Sequence, residues 1–162
     1  MNYQYIGKST PVNNSRAKAS GLLRYAGDMK LPNMLHMKLV LSPVAHGIVK
    51  AIDSSAALAM PGVAAVLSFE NTVDTKYNRG RVRISEDVMD QETLFSRHVR
   101  FVGDRVAAVL ADSPEIAAAA AEAIQLEIEE LPAVFTVEAA KREGAPQLHE
   151  DGNTVTLPEC GF

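Results

Sequence analysis

Short runs of alternating apolar and polar side chains begin at residue 36 and predict β-strands. In the first run, Met37, Leu39 and Leu41 alternate with Lys38 and Val40. This alternation indicates a half-buried strand, and a Ser-Pro pair ends it because proline has no N–H for a strand ladder. Further strands are predicted over residues 45–53, 63–69, 99–101 and 105–111.

The segment Asp-Ser-Pro-Glu at residues 112–115 is a strong helix start. Its first two residues can cap a helix, proline suits the first helical turn, and glutamate faces the positive end of the helix dipole. An alanine-rich helix is therefore predicted from near Ile116 onward. Weaker signals predict short helices in residues 54–60 and 138–142.

After the alanine-rich helix the period changes to two, which predicts a strand with one acidic face toward water. The apolar positions of this strand are Ile124, Leu126 and Ile128, and they alternate with Gln125, Glu127 and Glu129. We expect the three apolar residues to be buried beside the helix. Val63, Val66, Val106 and Val109 are expected to share the same core.

Together these elements predict an α+β domain over residues 34–150, with a mixed, curved sheet of about five to seven strands and two or three short helices. Residues 1–33 contain many turn formers and are expected to form an extended N-terminal arm. Residues 71–92 have few apolar side chains and are expected to form a long exposed loop, and residues 151–162 a loose C-terminal tail.

The composition of the 162 residues, with 47% hydrophobic and 22% charged side chains, is that of a globular protein. No apolar run is long enough to span a membrane, and the first residues lack the apolar core of a secretory signal. Cys160 is the only cysteine, which excludes a disulfide framework and a multi-cysteine metal site. We therefore expect a cytoplasmic protein.

Charge is unevenly distributed along the chain. Residues 1–50 contain seven Lys/Arg and one acid, whereas residues 111–162 contain two Lys/Arg and eleven acids. The basic residues of the first part are spread out, and no nucleic-acid-binding motif accompanies them. Nucleic acid is therefore not expected as a partner.

His46 is the most conspicuous candidate for chemistry, because it follows a proline turn. No second histidine or cysteine lies nearby at metal-ligand spacing, so a strand-end histidine bonded to the backbone is the favoured interpretation. The same interpretation applies to His98 and His149. A weaker hypothesis makes the chain a small hydrolase that uses His46 with an acid such as Asp53. No catalytic, cofactor-binding or metal-ligating residue is expected on this chain.

Several short motifs follow one another over residues 7–152. They are Tyr25-Ala-Gly-Asp28, Leu31-Pro32-x-Met34-Leu35-His36, Ser42-Pro43-x-Ala45-His46, Pro61-Gly62-Val63, Val102-Gly103-Asp104-Arg105-Val106-Ala107 and Leu131-Pro132-Ala133. In this order they resemble the N-terminal α/β-hammerhead domain of the molybdenum-binding subunit in the xanthine dehydrogenase/aldehyde oxidase family. Val44 is a departure, because that family commonly has histidine there.

The resemblance implies a molybdenum hydroxylase that oxidatively hydroxylates aldehydes or N-heterocycles. It implies molybdopterin, iron–sulfur clusters and FAD in the whole enzyme, and none of these on this chain. The domain's implied role is structural: it packs on the molybdopterin-binding domains and helps join them to the FAD and iron–sulfur subunits. The chain alone is therefore expected to be inactive, and the isolated domain is expected to self-associate through uncovered docking surface. The alternative is a free-standing binding or scaffolding module that kept the fold without the enzyme.

Overall fold

The computed structural model describes residues 3–9, 11–77, 92–150 and 152–154. The chain divides into two compact units, Met1–Met34 and Leu35–Phe162. The first unit contains helix α1 (Ser15–Ala19) and a single 3-10 turn at Ala26–Asp28. In the described residues no helix has both the length and the apolar character needed to cross a membrane.

In the described residues of the second unit, six strands form two antiparallel sheets of three strands each. In the first sheet, β5 (Arg105–Ala111) lies between β1 (His36–Leu41) and β3 (Val63–Ser68). In the second, β2 (Gly47–Asp53) lies between β4 (His98–Val99) and β6 (Gln125–Glu130). The α+β hammerhead class is confirmed, but the single mixed, curved sheet is wrong in detail. Each sheet combines strands that are distant in sequence, which alternation alone does not reveal.

Three short helices accompany the sheets: α2 (Ser55–Leu58), α3 (Pro114–Ala123) and α4 (Val137–Ala140). Helix α3 begins as predicted, with the Ser113 hydroxyl accepting a hydrogen bond from the Ile116 N–H at 3.2 Å. The Thr136 hydroxyl caps α4 in the same way, accepting from the Ala139 N–H at 3.1 Å. Side-chain caps therefore set the start of both helices, because they satisfy otherwise unpaired N–H groups.

The buried apolar residues form two clusters. The larger cluster contains Val40, Ala57, Val66, Ala107, Val109, Ala120 and Ile124, with Val63 and Leu126 partly buried against it. The smaller cluster contains Val49, Val99 and Val106, with Ile128 partly buried against it. The expectation of one shared core is wrong for Val106. Residues 106 and 109 lie an odd number of positions apart on β5, so their side chains leave opposite faces of the strand.

Strand β1 forms as predicted, but the half-buried pattern is wrong in its face: of the six residues only Val40 is buried. Val40 lies opposite Ala107 and faces the larger cluster. Met37, Leu39 and Leu41 stand on the other face and are 61%, 36% and 47% exposed. Because directly paired residues share a face, this side of the sheet is apolar across all three strands. We call it the open sheet face, and it comprises Met37, Leu39, Leu41, Ala65, Leu67 and Leu110, with the buried Ala108 between Leu39 and Leu67.

Strand β6 has the predicted alternation. Its glutamates are exposed, while Leu126 and Ile128 are partly buried. Most of the loop expected over residues 71–92 lies outside the described residues. Its described ends, Tyr77 and Glu92, form an isolated antiparallel bridge. The tail expected over residues 151–162 also lies largely outside the described residues. The domain bounds expected from the sequence stay a prediction.

Candidate functional site

His46 immediately precedes β2 and is 4% exposed. Its Nδ1 lies 2.6 Å from the Pro132 carbonyl oxygen, just beyond the end of β6. Its Nε2 lies 2.8 Å from Nε2 of His98 in β4. The backbone bond agrees with the interpretation from sequence, but the second histidine does not follow from it. One side chain therefore links the central strand of the second sheet to both of its neighbours.

The geometry determines where the protons of this histidine pair lie. A carbonyl oxygen only accepts, so His46 carries its hydrogen on Nδ1 and donates it to Pro132. The Nε2 of a neutral His46 is then an acceptor, and His98 donates from its own Nε2. The two rings stack with centroids 5.0 Å apart and an interplanar angle of 28°.

The surroundings of His98 favour its neutral form. Burial lowers the pKa of His98 below its ordinary value, and the charge of Arg100 lowers it further. His46 and His149 act in the same direction, while Asp104 opposes them. In the part of the chain that the structure describes, no carboxylate is bonded to the ring of either histidine, an arrangement that often makes a histidine a catalytic base.

Asp104 is the buried anion of this region and is 5% exposed. Its carboxylate accepts hydrogen bonds from the Ser96 hydroxyl at 2.9 Å, the Arg105 N–H at 2.9 Å and the Arg100 N–H at 3.2 Å. The Asp104 carbonyl also accepts from the Ser42 N–H at 2.8 Å. All these donors hold the turn before β5, so the carboxylate is structural.

Three of the sequence motifs meet around His46 and Asp104. The Ser-Pro-x-Ala-His segment starts at Ser42, which exchanges backbone hydrogen bonds with Gly103 and Asp104. The same segment ends at His46, which binds Pro132 through its ring and Leu131 through its carbonyl oxygen. The motifs therefore mark one continuous hydrogen-bond network.

Two arginines extend this network to other segments. Arg105 donates to the Glu92 carboxylate at 2.9 Å and to the Thr93 carbonyl at 3.3 Å, and its guanidinium lies 5.9 Å from the Tyr77 ring centre. Arg100 donates to the carbonyl oxygens of His98 and Leu148. Both guanidinium groups serve as structural links between segments of the domain.

The hydrolase hypothesis does not fit this arrangement. His46 precedes β2 and Asp53 ends it, so the length of the strand, about 20 Å, separates them. The Asp53 carboxylate is exposed, and hydrogen bonds from the Ser55 side chain and then from the Ser55 N–H, at 2.9 Å, lower the pKa of Asp53. The two residues do not form a catalytic pair.

The described residues do not fit a molybdopterin group either. Such a cofactor needs unpaired polar groups that face a cavity. In the described ranges every buried side-chain nitrogen and oxygen has a hydrogen-bond partner, and no three His, Cys, Asp or Glu side chains converge as metal ligands. Glu127 and Glu129 are exposed on β6, and Cys160 lies outside the described residues. That the chain holds no cofactor stays a prediction.

Comparisons with known proteins agree with this arrangement. The family model described as aldehyde oxidase and xanthine dehydrogenase, a/b hammerhead domain, matches residues 20–132. The chain is 34% identical over 151 residues to the large molybdopterin subunit of nicotinate dehydrogenase from Eubacterium barkeri, covering 93% of this chain and 34% of that one. It is 43% identical over 127 residues to the large chain of carbon monoxide dehydrogenase from Hydrogenophaga pseudoflava, covering 78% and 15%.

Solved structures give the same result. The aldehyde oxidoreductase from Desulfovibrio desulfuricans ATCC 27774 superposes with a TM-score of 0.80 at 28% identity, over 91% of this chain and 17% of that one. Quinoline 2-oxidoreductase from Pseudomonas putida 86 gives 0.78 at 35% identity, over 90% and 19%. The chain spans about a third or less of the length of these relatives. It belongs to the aldehyde oxidase and xanthine dehydrogenase family and carries its a/b hammerhead domain.

Proposed function

We propose that this chain is the non-catalytic docking domain of a molybdenum hydroxylase that oxidises aldehydes or N-heterocycles. In this role it supports the molybdopterin-binding domains of the same subunit and the subunits that carry FAD and iron–sulfur clusters. The names of several relatives support the substrate class, because nicotinate and quinoline are N-heterocycles and two others are aldehyde oxidoreductases. Carbon monoxide dehydrogenase is an exception among the relatives. The proposal includes a cytoplasmic location, which the single cysteine supports.

The open sheet face is the observation that carries the proposal. Its large side chains come from every strand of the first sheet, and Met37 and Leu41 are about half exposed or more. A sheet face of this composition is normally covered by another layer of protein. We infer that the molybdopterin-binding domains cover it in the whole enzyme. In the isolated chain the same face would promote self-association.

The histidine network supports a structural role for the domain's interior. His46, Asp104 and Arg105 use their polar atoms to join neighbouring segments of the domain. A catalytic group instead needs free access to a substrate atom.

The test is to purify the native protein from source cells with an antibody against this chain. We expect a polypeptide several-fold larger than 162 residues, or a tight complex of polypeptides, that contains molybdenum and pterin. Introducing Leu39→Lys on the open sheet face should reduce the molybdenum content, because a buried lysine weakens docking. Glu127→Lys is the matched control, since Glu127 is exposed on β6, and it should leave the molybdenum content unchanged.

A native polypeptide of 162 residues without associated molybdenum would contradict the proposal. That result would favour the alternative, a free-standing scaffolding module. Equal molybdenum content in the Leu39→Lys and Glu127→Lys proteins would remove the open sheet face as the docking surface.

A further inference from the structure

The short strand β4 is attached to the second sheet by few backbone bonds. It has two residues, which pair with Gly47 and Ile48 of β2, and the Val49 N–H donates to the Arg97 carbonyl at 2.9 Å. Side chains must therefore supply much of its attachment. The hydrogen bond between the rings of His46 and His98 is a polar side-chain contact that joins β4 directly to the start of β2.

This contact has room for one hydrogen only. The two Nε2 atoms are 2.8 Å apart, and the Pro132 carbonyl holds the other hydrogen of His46 on Nδ1. One extra proton can be accepted on Nδ1 of His98, because its Nε2 still donates to His46. A second extra proton would have to enter on Nε2 of His46, where it would face the N–H of His98. A doubly charged pair must therefore separate.

We propose that His46 and His98 form a proton-operated latch that holds β4 against β2 at neutral pH and releases it in acid. The inference does not rest on the proposed function. In the released state both rings meet water, and each can take up a proton without facing the N–H of the other. The closed pair binds fewer protons than the open one, so lowering the pH favours opening.

Most of the charged groups around the pair act in the same sense. Arg100 and His149 disfavour positive charge on His98, and Asp104 favours it. The Asp104 carboxylate already accepts three hydrogen bonds, two of them from the backbone, so it does not bind either imidazole. Pro132 contributes a neutral carbonyl. Within the described ranges, no carboxylate is thus bonded to the rings of the closed pair to hold a second proton.

Amide hydrogen exchange on the 162-residue chain, followed by NMR, tests the latch. The Val49 amide reports β4, because its acceptor is Arg97, and the Val109 amide in β5 serves as an internal reference. After correction for intrinsic exchange, the protection of Val49 relative to Val109 should decrease as the pH is lowered below about 6.5, the ordinary pKa of histidine. The expected fall is roughly tenfold per pH unit for each proton taken up on opening.

Two variants identify the histidines responsible. His98→Gln keeps a donor for His46 but does not titrate, so the relative protection of Val49 should become almost independent of pH. His36→Gln is the control, because His36 begins β1 in the other sheet, and it should keep the wild-type dependence. A flat wild-type profile, or an unchanged profile in His98→Gln, would overturn the proposal.

A direct measurement on the wild-type rings does not depend on whether the variants fold. Nitrogen-15 spectra at about pH 8 should show the Nδ1–H tautomer for His46 and the Nε2–H tautomer for His98. An Nε2–H tautomer for His46 would overturn the latch, because the two rings would then lack the donor and acceptor arrangement it requires.

Discussion

Met37 of β1 lies directly opposite Leu110 of β5, and this apolar pair stands on the open face of the first sheet. Val40, on the opposite side of the same strand, pairs with Ala107 and packs into the larger cluster. The two faces of β1 therefore differ: Val40 packs into the larger cluster, whereas Met37 and Leu41 are exposed. On β5, the side that carries Leu110 also carries Val106, which is buried in the smaller cluster.

This difference predicts a small effect on stability for a substitution on the open sheet face and a large loss for one on the buried face. Met37→Lys should change the free energy of unfolding by about 0.5 kcal/mol or less, because the side chain is already exposed. Val40→Ala should cost about 2 kcal/mol, since it opens a cavity in the larger cluster. Urea unfolding measures both values. Equal losses in the two variants would show that the open face is covered within the chain.

Asp104→Ala should destabilise the domain by about 3 kcal/mol, because it leaves the Ser96 hydroxyl and the N–H groups of Arg100 and Arg105 without their acceptor. Asp104→Asn should cost less, since its amide oxygen can still accept. Urea unfolding of the two variants, compared with wild type, measures the difference. A loss below about 1 kcal/mol in Asp104→Ala would contradict the structural role given to this carboxylate.

Gly47→Ala should cost about 2 kcal/mol, because a Cβ at this position would lie 2.7 Å from the Glu129 carbonyl oxygen and 2.8 Å from Cγ2 of Ile128. Strands β2 and β6 would have to separate. Gly27→Ala is the matched control: no atom lies within 4 Å of its added Cβ, and it should be close to neutral. Thermal unfolding of both variants distinguishes a steric effect from a general effect of replacing glycine.

Glu115, in the first turn of α3, should make stability fall in acid. Its hydrogen bonds, first to its own backbone N–H and then to Ser113, lower its pKa below the ordinary glutamate value of about 4.3. A carboxylate with a lowered pKa in the folded state stabilises the fold above its unfolded pKa. This contribution is lost as the pH falls from about 4.3 through the lower folded value.

The measurement is the midpoint of urea unfolding between about pH 6 and pH 3 for wild type and Glu115→Gln. The variant should lose less stability over this interval than wild type. Glu138→Gln is the comparison variant, because Glu138 also lies in the first turn of a helix, α4, but away from Ser113. Parallel profiles for wild type and Glu115→Gln would refute the assignment.

Local elements were predictable because their causes lie within a few residues. The Ser113 cap and the following proline determine the start of α3. Alternation identified β1 and β6, and the apolar run identified β5. The order of short motifs was also sufficient to indicate the family, which the comparisons confirm.

The sites of contact between distant segments were not predictable in the same way. His46 and His98 are 52 residues apart, and the only local hint was a polar side chain at the edge of an apolar run. The sequence therefore suggested a backbone partner for His46 but not its second partner.

What the sequence determined by itself is most of the strands and helices of the second unit and the cap of α3, because hydrogen bonding and alternation act locally. Only the tertiary structure decided that the strands form two sheets, that Val106 and Val109 lie in different clusters, and that Met37 faces outward. The physical reason is that strand pairing and burial depend on contacts between remote segments. A period of two shows that a strand has two faces, but the packing partner determines which face is buried.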